Sequence, residues 1–359
     1  MLDFIDELIG FLNGVSEEIN VVVMPDFFLD RMITLESSLP EFAASITEVA
    51  SRKGGSIDGV PQTDIRGGNA VNTASALAAL GVNVTPIVCT SQLGMAQLNL
   101  HLKPMGIDTS HVKISTKASL TTALEIAKDS GRLNVMLRDL GSLANFGPED
   151  LSEADYSIIN EADYVCVFNW AGTKMHGTEL ASNVFRAVKT SGKGMTYYDT
   201  ADPTPNRERI PELMENVLKT GVVDVLSVNE NEAVTYASFL DEGIHKKMQE
   251  LGHEDLALDS ARILARKLSA RIDLHTTAFS ATVTKKSEIL IPAFKVKALR
   301  ATGAGDAWNA GNIFGDANGL SDSCRMALAN AVSACYITDS KGSHPTRKEL
   351  AHFLEKQKL

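Results

Sequence analysis

Two hydrophobic rhythms alternate along the chain: short unbroken apolar runs, and longer stretches in which apolar residues return every three or four positions. The runs are Asn20–Met24 (NVVVM), Val84–Cys89, Tyr164–Phe168, Met195–Tyr198 and Val222–Val228. Continuous, β-branched-rich runs of this kind predict strands covered on both faces. The wider spacing predicts helices over Asn69–Leu80, Ala96–Met105 and Glu179–Lys189, with Gly81, Gly106 and Gly192 placed to end them. Leu2, Ile5, Leu8, Ile9 and Leu12 keep the same spacing, so residues 1–19 are expected to be a helical extension lying on the body. Strand and helix in alternation predict an α/β fold, with a doubly wound, mostly parallel central sheet and helices on both faces. Ligands of such sheets bind at the carboxyl ends of the strands.

Two segments break the rhythm. Residues 29–65 combine a strand-like start, a helix around Phe42–Ser51 and a glycine-rich turn. Residues 112–145 contain two apolar runs joined by Asp129-Ser130-Gly131, a hairpin signal. A hairpin projecting from a doubly wound core is a candidate β lid, although a surface hairpin without function fits the same local pattern. No repeat, low-complexity tract or linker divides the chain, so residues 1–359 are expected to form one domain with these two excursions.

The chain has 359 residues, of which 44% are hydrophobic and 22% charged, enough to bury a large core. Its formal net charge of −11 opposes binding to a polyanion, which argues against a nucleic-acid partner. Cys89, Cys166, Cys324 and Cys335 form no CxxC pair, so neither a zinc site nor a disulfide framework is expected, and reduced thiols suit the cytoplasm. The first residues are acidic where a secretory leader is basic, and no apolar stretch approaches the roughly 20 residues of a membrane span.

The segment richest in chemistry is Ala298–Gly311, where Thr302-Gly303-Ala304-Gly305-Asp306 runs straight into a helical pattern. Small residues leave amide groups uncovered at the start of a helix, which favours an anion such as phosphate. A carboxylate in that first turn, Asp306, is placed to take a proton from an attacking hydroxyl. The same residues also fit a capped helix whose glycines permit close packing. There is no GxxxxGK[ST] motif, and Trp308 stands where GxGxxG needs its third glycine.

Two further motifs accompany this turn. Gly67-Gly68-Asn69-Ala70-Val71-Asn72 has the form GGxxxN, and Asn229-Glu230-Asn231-Glu232, after the strand-like VVDVLSV, has the form NxxE. In this order the three motifs resemble those of the ribokinase-like carbohydrate kinases, also called the phosphofructokinase B family. The resemblance spans most of the chain. It implies a nucleotide-dependent phosphotransferase, with ATP as donor and Mg²⁺ as cofactor, acting on a hydroxyl of a sugar, sugar phosphate or nucleoside. Asp306 would then be the base, and the amides around Gly303, Ala304 and Gly305 would stabilise the transferring phosphoryl group. Thr302 would contact the nucleotide. Asn229 and Glu232 would help to hold hydrated Mg²⁺, although Asn followed three residues later by Glu is also a capping box. Gly67, Gly68, Asn72 and Asp30 would position the acceptor, with Asp26 a competing assignment for Asp30. Asp199, closing a strand-like run on the edge where ligands bind, suits turn formation or, short of that, an auxiliary contact. Pairing of lids in relatives implies a possible homodimer.

The departures from the pattern are specific. The family often has Asp-Thr-Thr before GAGD, where this chain has Arg300-Ala301-Thr302, and a TLGxxG-like turn, where Thr276-Thr277-Ala278-Phe279-Ser280-Ala281 lacks both glycines. They keep a second reading open, a non-catalytic sugar or nucleotide sensor on the same scaffold. A dinucleotide-dependent oxidoreductase would need a fingerprint after an early strand, and none is present. His101, His111 and His176 lack metal-ligand spacing, Trp170 suits packing as well as stacking on a ring, Arg138 suits an exposed lid position as well as contact with an anionic substrate, and Lys285 and Lys286 suit a solvated turn.

Overall fold

The protein is described by a computed structural model over residues 2–15, 17–128, 131–191, 193–300 and 302–357. Helix α1 (Leu2–Asn13) precedes β1 (Asn20–Met24), and Pro25 and Asp26 lead on to β2 (Phe28–Leu35), α2 (Leu39–Ser51), β3 (Gln62–Gly67) and α3 (Asn69–Ala79). Then come β4 (Asn83–Pro86), β5 (Cys89–Thr90), α4 (Gln92–Leu102), β6 (Lys113–Ile114), β7 (Ser119–Lys128), β8 (Gly131–Asp139) and α5 (Glu153–Glu161). The second half runs β9 (Tyr164–Phe168), α6 (Gly177–Ser191), β10 (Met195–Asp199), α7 (Ile210–Leu213), β11 (Val225–Val228), α8 (Glu230–Ser238), α9 (Ile244–Glu250), α10 (His253–Lys267) and β12 (Arg271–His275). It closes with β13 (Phe279–Val283), β14 (Glu288–Pro292), α11 (Ala304–Ala317), α12 (Asp322–Thr338) and α13 (Arg347–Lys356).

Eight strands form the central sheet in the order β14-β13-β12-β11-β10-β9-β1-β4. The neighbours from β12 through to β4 are parallel, and β13 and β14 add an antiparallel edge. Because side chains alternate across a strand, Val21 and Val23 enter one core and Val22 and Met24 the other. The first core is closed by α1, α3, α11, α12 and α13 through residues such as Leu8, Leu77, Phe314, Leu328 and Leu354. The second is closed by α6, α8 and α10 through Val184, Tyr236 and Leu264. Helices on both faces explain why the strands are unbroken apolar runs. β1 pairs with β4 on one side and β9 on the other, so the winding reverses there, and crevices at such reversals receive ligands.

A second sheet, in the order β3-β2-β7-β8, stands apart from the first. Its register puts Asp30 between Ile65 and Thr121, and Thr121 opposite Arg138. The Asp129-Ser130 turn lies outside the described residues, as does Gly192. None of the residues of α2 is buried.

Some boundaries differ from the sequence pattern for local reasons. Val84–Cys89 is not one strand: after β4 the Ile87 amide bonds to Val23, and Cys89–Thr90 leaves to pair with β6. Residues 113–114 therefore belong to that small sheet rather than to the projecting one. The helix expected over Ala96–Met105 starts at Gln92 because Ser91 caps it, and it tightens to a 3₁₀ turn at Lys103–Met105, ahead of Gly106 at φ 75°. Among the described residues no helix is long and apolar enough to cross a membrane.

A buried ionic cluster ties α11 and α12 to β12. Asp273 and Arg325, both fully buried, meet at 2.8 Å, and Asp273 also accepts from Thr282 (2.6 Å) and Asn312 (3.0 Å). Burial alone would raise the Asp273 carboxyl, but the charges of Arg271 and Arg325 override it and hold the group well below the ordinary carboxylate range. Removing one member leaves an uncompensated buried charge. Asp273→Ala is therefore expected to lower stability at neutral pH by about 3–5 kcal/mol in urea unfolding. A carboxyl with a depressed native pKa stabilises above its unfolded pKa, so this difference should narrow as the pH falls below about 4.

Candidate active site

The carboxyl ends of five parallel strands open into one cavity of about 300 Å³. Asp26 follows β1, Asn169 follows β9, Asp199 ends β10, Asn229 follows β11 and His275 ends β12, and all five line it. The second sheet supplies Phe28, Asp30, Thr121, Met136 and Arg138 from the opposite side. The first turns of α3 and α11, with the residues just before them, contribute Gly68, Asn69, Asn72, Thr302, Gly303, Gly305 and Asp306.

Asp306 is buried, and each of its oxygens is held from α3: Asn69 Nδ2 donates to Oδ1 at 2.8 Å and Asn72 Nδ2 to Oδ2 at 2.9 Å. Both oxygens are thus engaged across the fold rather than with the amides of α11. Burial raises its pKa to about 8, the Asp199 and Asp26 charges add to the rise, and the two asparagine bonds oppose it. Gly303 stands at the N-cap position just before α11; it has φ 85° and supplies no side-chain cap. The first amides of the helix are left without intrahelical partners. A Cβ at Gly303 would lie 2.6 Å from Tyr336 Oη, so conformation and space both demand glycine there.

Asp26 and Asp30 have separate roles in the structure. Asp26 accepts from the Asn69 and Ala70 amides (2.8 and 2.9 Å) and from Asn169 Nδ2 (2.8 Å), so it is spent on capping α3. Asp30 keeps a buried Oδ1 with no partner, and its pKa is pushed up to about 6 by burial against the opposing effects of Thr121 and Arg138. Gly67 does not line the cavity. A Cβ there would fall 2.0 Å from the Asp30 carboxylate, so its absence makes room for that side chain. Gly68, at φ 96°, packs on the Asp26 backbone. The Arg138 guanidinium lies 4.9 Å from the Phe28 ring centroid.

A second cavity, of about 830 Å³, adjoins the first at His275 and Gly305. Its walls are the Thr276–Ala278 turn, residues 292–298, Ala304, Trp308 and part of α12. The turn that lacks the expected glycines is closed instead by Thr276, whose Oγ1 accepts from the Ala278 and Phe279 amides. Arg300 lines neither cavity. It donates to the Asp339 and Ser340 carbonyls (3.2 and 2.9 Å) and sits over Tyr336, while Ala301 lies outside the described residues.

The sequence model for the pfkB family carbohydrate kinases matches residues 56–349. The chain belongs to the pfkB family of carbohydrate kinases. No curated protein sequence matches it. Solved structures share its ribokinase-like α/β fold at low identity. Arabidopsis thaliana ribokinase complexed with ribose and ATP is 17% identical, with a TM-score of 0.73, 94% of this chain covered and 99% of that one. Adenosine kinase from Sinorhizobium meliloti is 17% identical, with a TM-score of 0.68 and 95% and 100% covered. Methanocaldococcus jannaschii nucleoside kinase is 17% identical, with a TM-score of 0.67 and 96% and 100% covered.

In this pfkB-family kinase Asn229 and Glu232 form the capping box of α8. The Asn229 backbone and side-chain amides donate to the two Glu232 oxygens (2.9 and 2.8 Å), and Asn229 Oδ1 accepts from the Glu232 amide (3.0 Å). Both residues also line the first cavity. Burial pushes the Glu232 carboxyl well above its ordinary range, and the charges of Asp199, Asp202 and Glu230 push it further. Such a surplus of negative charge fits a cation. Among the described residues no three His, Cys, Asp or Glu side chains are arranged to hold a metal directly.

Asn69, Asn169, Thr121 and His275 escaped the sequence reading. Asn69 lay inside the GGxxxN motif, one residue past the glycines. Asn169 adopts φ 52°, uncommon outside glycine, and no sequence signal marked it beyond its place at a strand end. Of the residues given little weight, Arg138 lines the first cavity, whereas His111 bonds Asp155 at 2.8 Å and Trp170 is a core residue donating to Thr178 at 3.0 Å. Because both asparagine bonds favour the ionised carboxylate, Asn69→Ala and Asn72→Ala should each move the Asp306 pKa upward from about 8. Carboxyl ¹³C titration by NMR reads this shift.

Proposed function

We propose that the chain transfers the terminal phosphoryl group of ATP to a hydroxyl of a sugar, sugar phosphate or nucleoside bound in the smaller cavity. The observation that carries this reading is the buried Asp306 carboxyl in the first turn of an uncapped helix, where the two cavities meet. Asp306 takes the proton of the attacking hydroxyl, and the α11 amides around Gly303, Ala304 and Gly305 receive the charge of the moving phosphoryl group. Asp30, through its unpartnered Oδ1, accepts a hydrogen bond from the acceptor, and Gly68 and Asn72 shape its seat. The projecting sheet acts as a lid that keeps water from the reacting atoms. The larger cavity holds the nucleoside part of the donor, and Thr302, which lines the smaller cavity, meets its phosphate end. Mg²⁺, when bound, neutralises phosphate oxygens, and Asn229 and Glu232 orient its water shell.

The resemblance to ribokinase with ribose and ATP, and to adenosine and nucleoside kinases, supports both the donor and this range of acceptors. Exposed Leu120, Val135 and Leu137 on the projecting sheet support a homodimer formed through it. The four free thiols support a cytoplasmic setting.

Incubation with ATP, Mg²⁺ and a panel of sugars, sugar phosphates and nucleosides should yield acceptor-dependent ADP. Acceptor binding without ADP would instead support a sensor. A base must be ionised, so kcat/KM should rise with pH and level off above about 8. Asp306→Asn should retain nucleotide binding, lose that limb and lower turnover by roughly two to four powers of ten. A variant as active as wild type would remove Asp306 from the role of base.

A further inference from the structure

His275 belongs to none of the three motifs, yet among the described residues it and Gly305 are the two that line both cavities. A Cβ built on Gly305 would lie 3.3 Å from His275 Cε1 and 3.9 Å from Nε2, so the ring edge rests on the first turn of α11. The imidazole packs over Trp308 with centroids 4.9 Å apart. The indole is itself pinned, its Nε1 donating to Ser280 Oγ at 2.8 Å and Asn330 Oδ1 at 3.0 Å. His275 is thus held at the junction while its own Nε2 is buried with no hydrogen-bond partner. A polar atom left so at a ligand boundary is a group whose partner arrives with the ligand.

A phosphate chain reaching from the larger cavity toward Asp306 crosses the junction that His275 and Gly305 line together. We propose that His275 is a phosphate-binding residue of the donor site, giving an imidazole N–H to a non-bridging oxygen of the nucleotide's β- or γ-phosphate, the groups AMP lacks, where the phosphate chain crosses the junction. This inference rests on the phosphotransfer reading and adds a side-chain donor to the backbone amides. Burial pushes the imidazole down to about 4, even though Glu230 and Asp273 pull the other way. The ring is therefore neutral at pH 7, with one nitrogen carrying a proton to donate.

Calorimetric titration with two probes, the Mg²⁺ complex of β,γ-imido-ATP and AMP, isolates the phosphate contact. His275→Ala should weaken imido-ATP binding by about 10–100-fold, as loss of a hydrogen bond to a charged group does, and leave AMP within about twofold. His275→Gln, which keeps a neutral N–H, should recover part of the loss. Equal imido-ATP affinity in wild type and His275→Ala overturns the proposal. So does an equal loss for AMP, which would make the ring a packing element of the larger cavity. Should His275→Ala fail to fold, ¹⁵N-histidine NMR of the wild type decides: the His275 ring nitrogens must shift with imido-ATP and not with AMP, and unchanged resonances overturn the assignment. Wild-type protein that binds neither nucleotide overturns the phosphotransfer reading and this inference with it, whereas equal binding by wild type and variant overturns this inference alone.

Discussion

A carboxyl group sealed into a pocket of other carboxyl groups, beside bare helix amides, is the constraint on which the rest of the site depends. Burying Asp306 near Asp199 and Asp26 disfavours its charge, and the side-chain amides of Asn69 and Asn72 oppose that. The balance leaves the group close to neutrality in proton affinity, where it can both lose a proton and accept one. Holding it there requires α3 and α11 to keep a fixed separation, because the two donors and the acceptor belong to different helices. The packing of these helices in one core, with Leu77, Ala307, Ala310 and Phe314 all buried, serves that requirement.

The same demand reaches deeper into the molecule. α11 is fixed from below by Asn312 to Asp273 and by Asn309, which donates to Asp199 at 2.7 Å. Asp199 is therefore both a wall of the cavity and a tether for the helix that carries Asp306. Asp26 works similarly on the other helix: it fastens the start of α3 while lining the cavity. Buried polar networks of this kind hold a geometry at the expense of desolvation, so their value lies in position more than in stability.

The sheet was legible in the sequence because parallel strands covered on both faces must be apolar throughout, as Tyr164–Phe168 is. The glycine turn with Asp306 was legible because its spacing is local. Pairings across the fold were not. Asp26 and Asp30 are both acids after the first strand, and only the return of the chain 43 residues later, to Asn69, separates a cap from a carboxylate with an unpartnered oxygen. His275 showed no signal, since a histidine closing a strand looks the same whether it faces a helix terminus or solvent. Val84–Cys89 misled because its apolar character continues through the turn that breaks the strand.

The motif glycines show how one residue type can serve unrelated physical ends. Gly67 is small because the Asp30 carboxylate occupies the space a Cβ would fill, Gly303 because the backbone is left-handed beneath Tyr336, and Gly305 because a ring edge rests on the helix turn. A methyl group would therefore do different harm at each position. At Gly67 it displaces a polar contact of the smaller cavity, at Gly303 it strains the start of α11, and at Gly305 it separates His275 from the amides beside it. Glycine here is a consequence of what approaches the backbone, so a GG or GAG pattern becomes informative only once those neighbours are named.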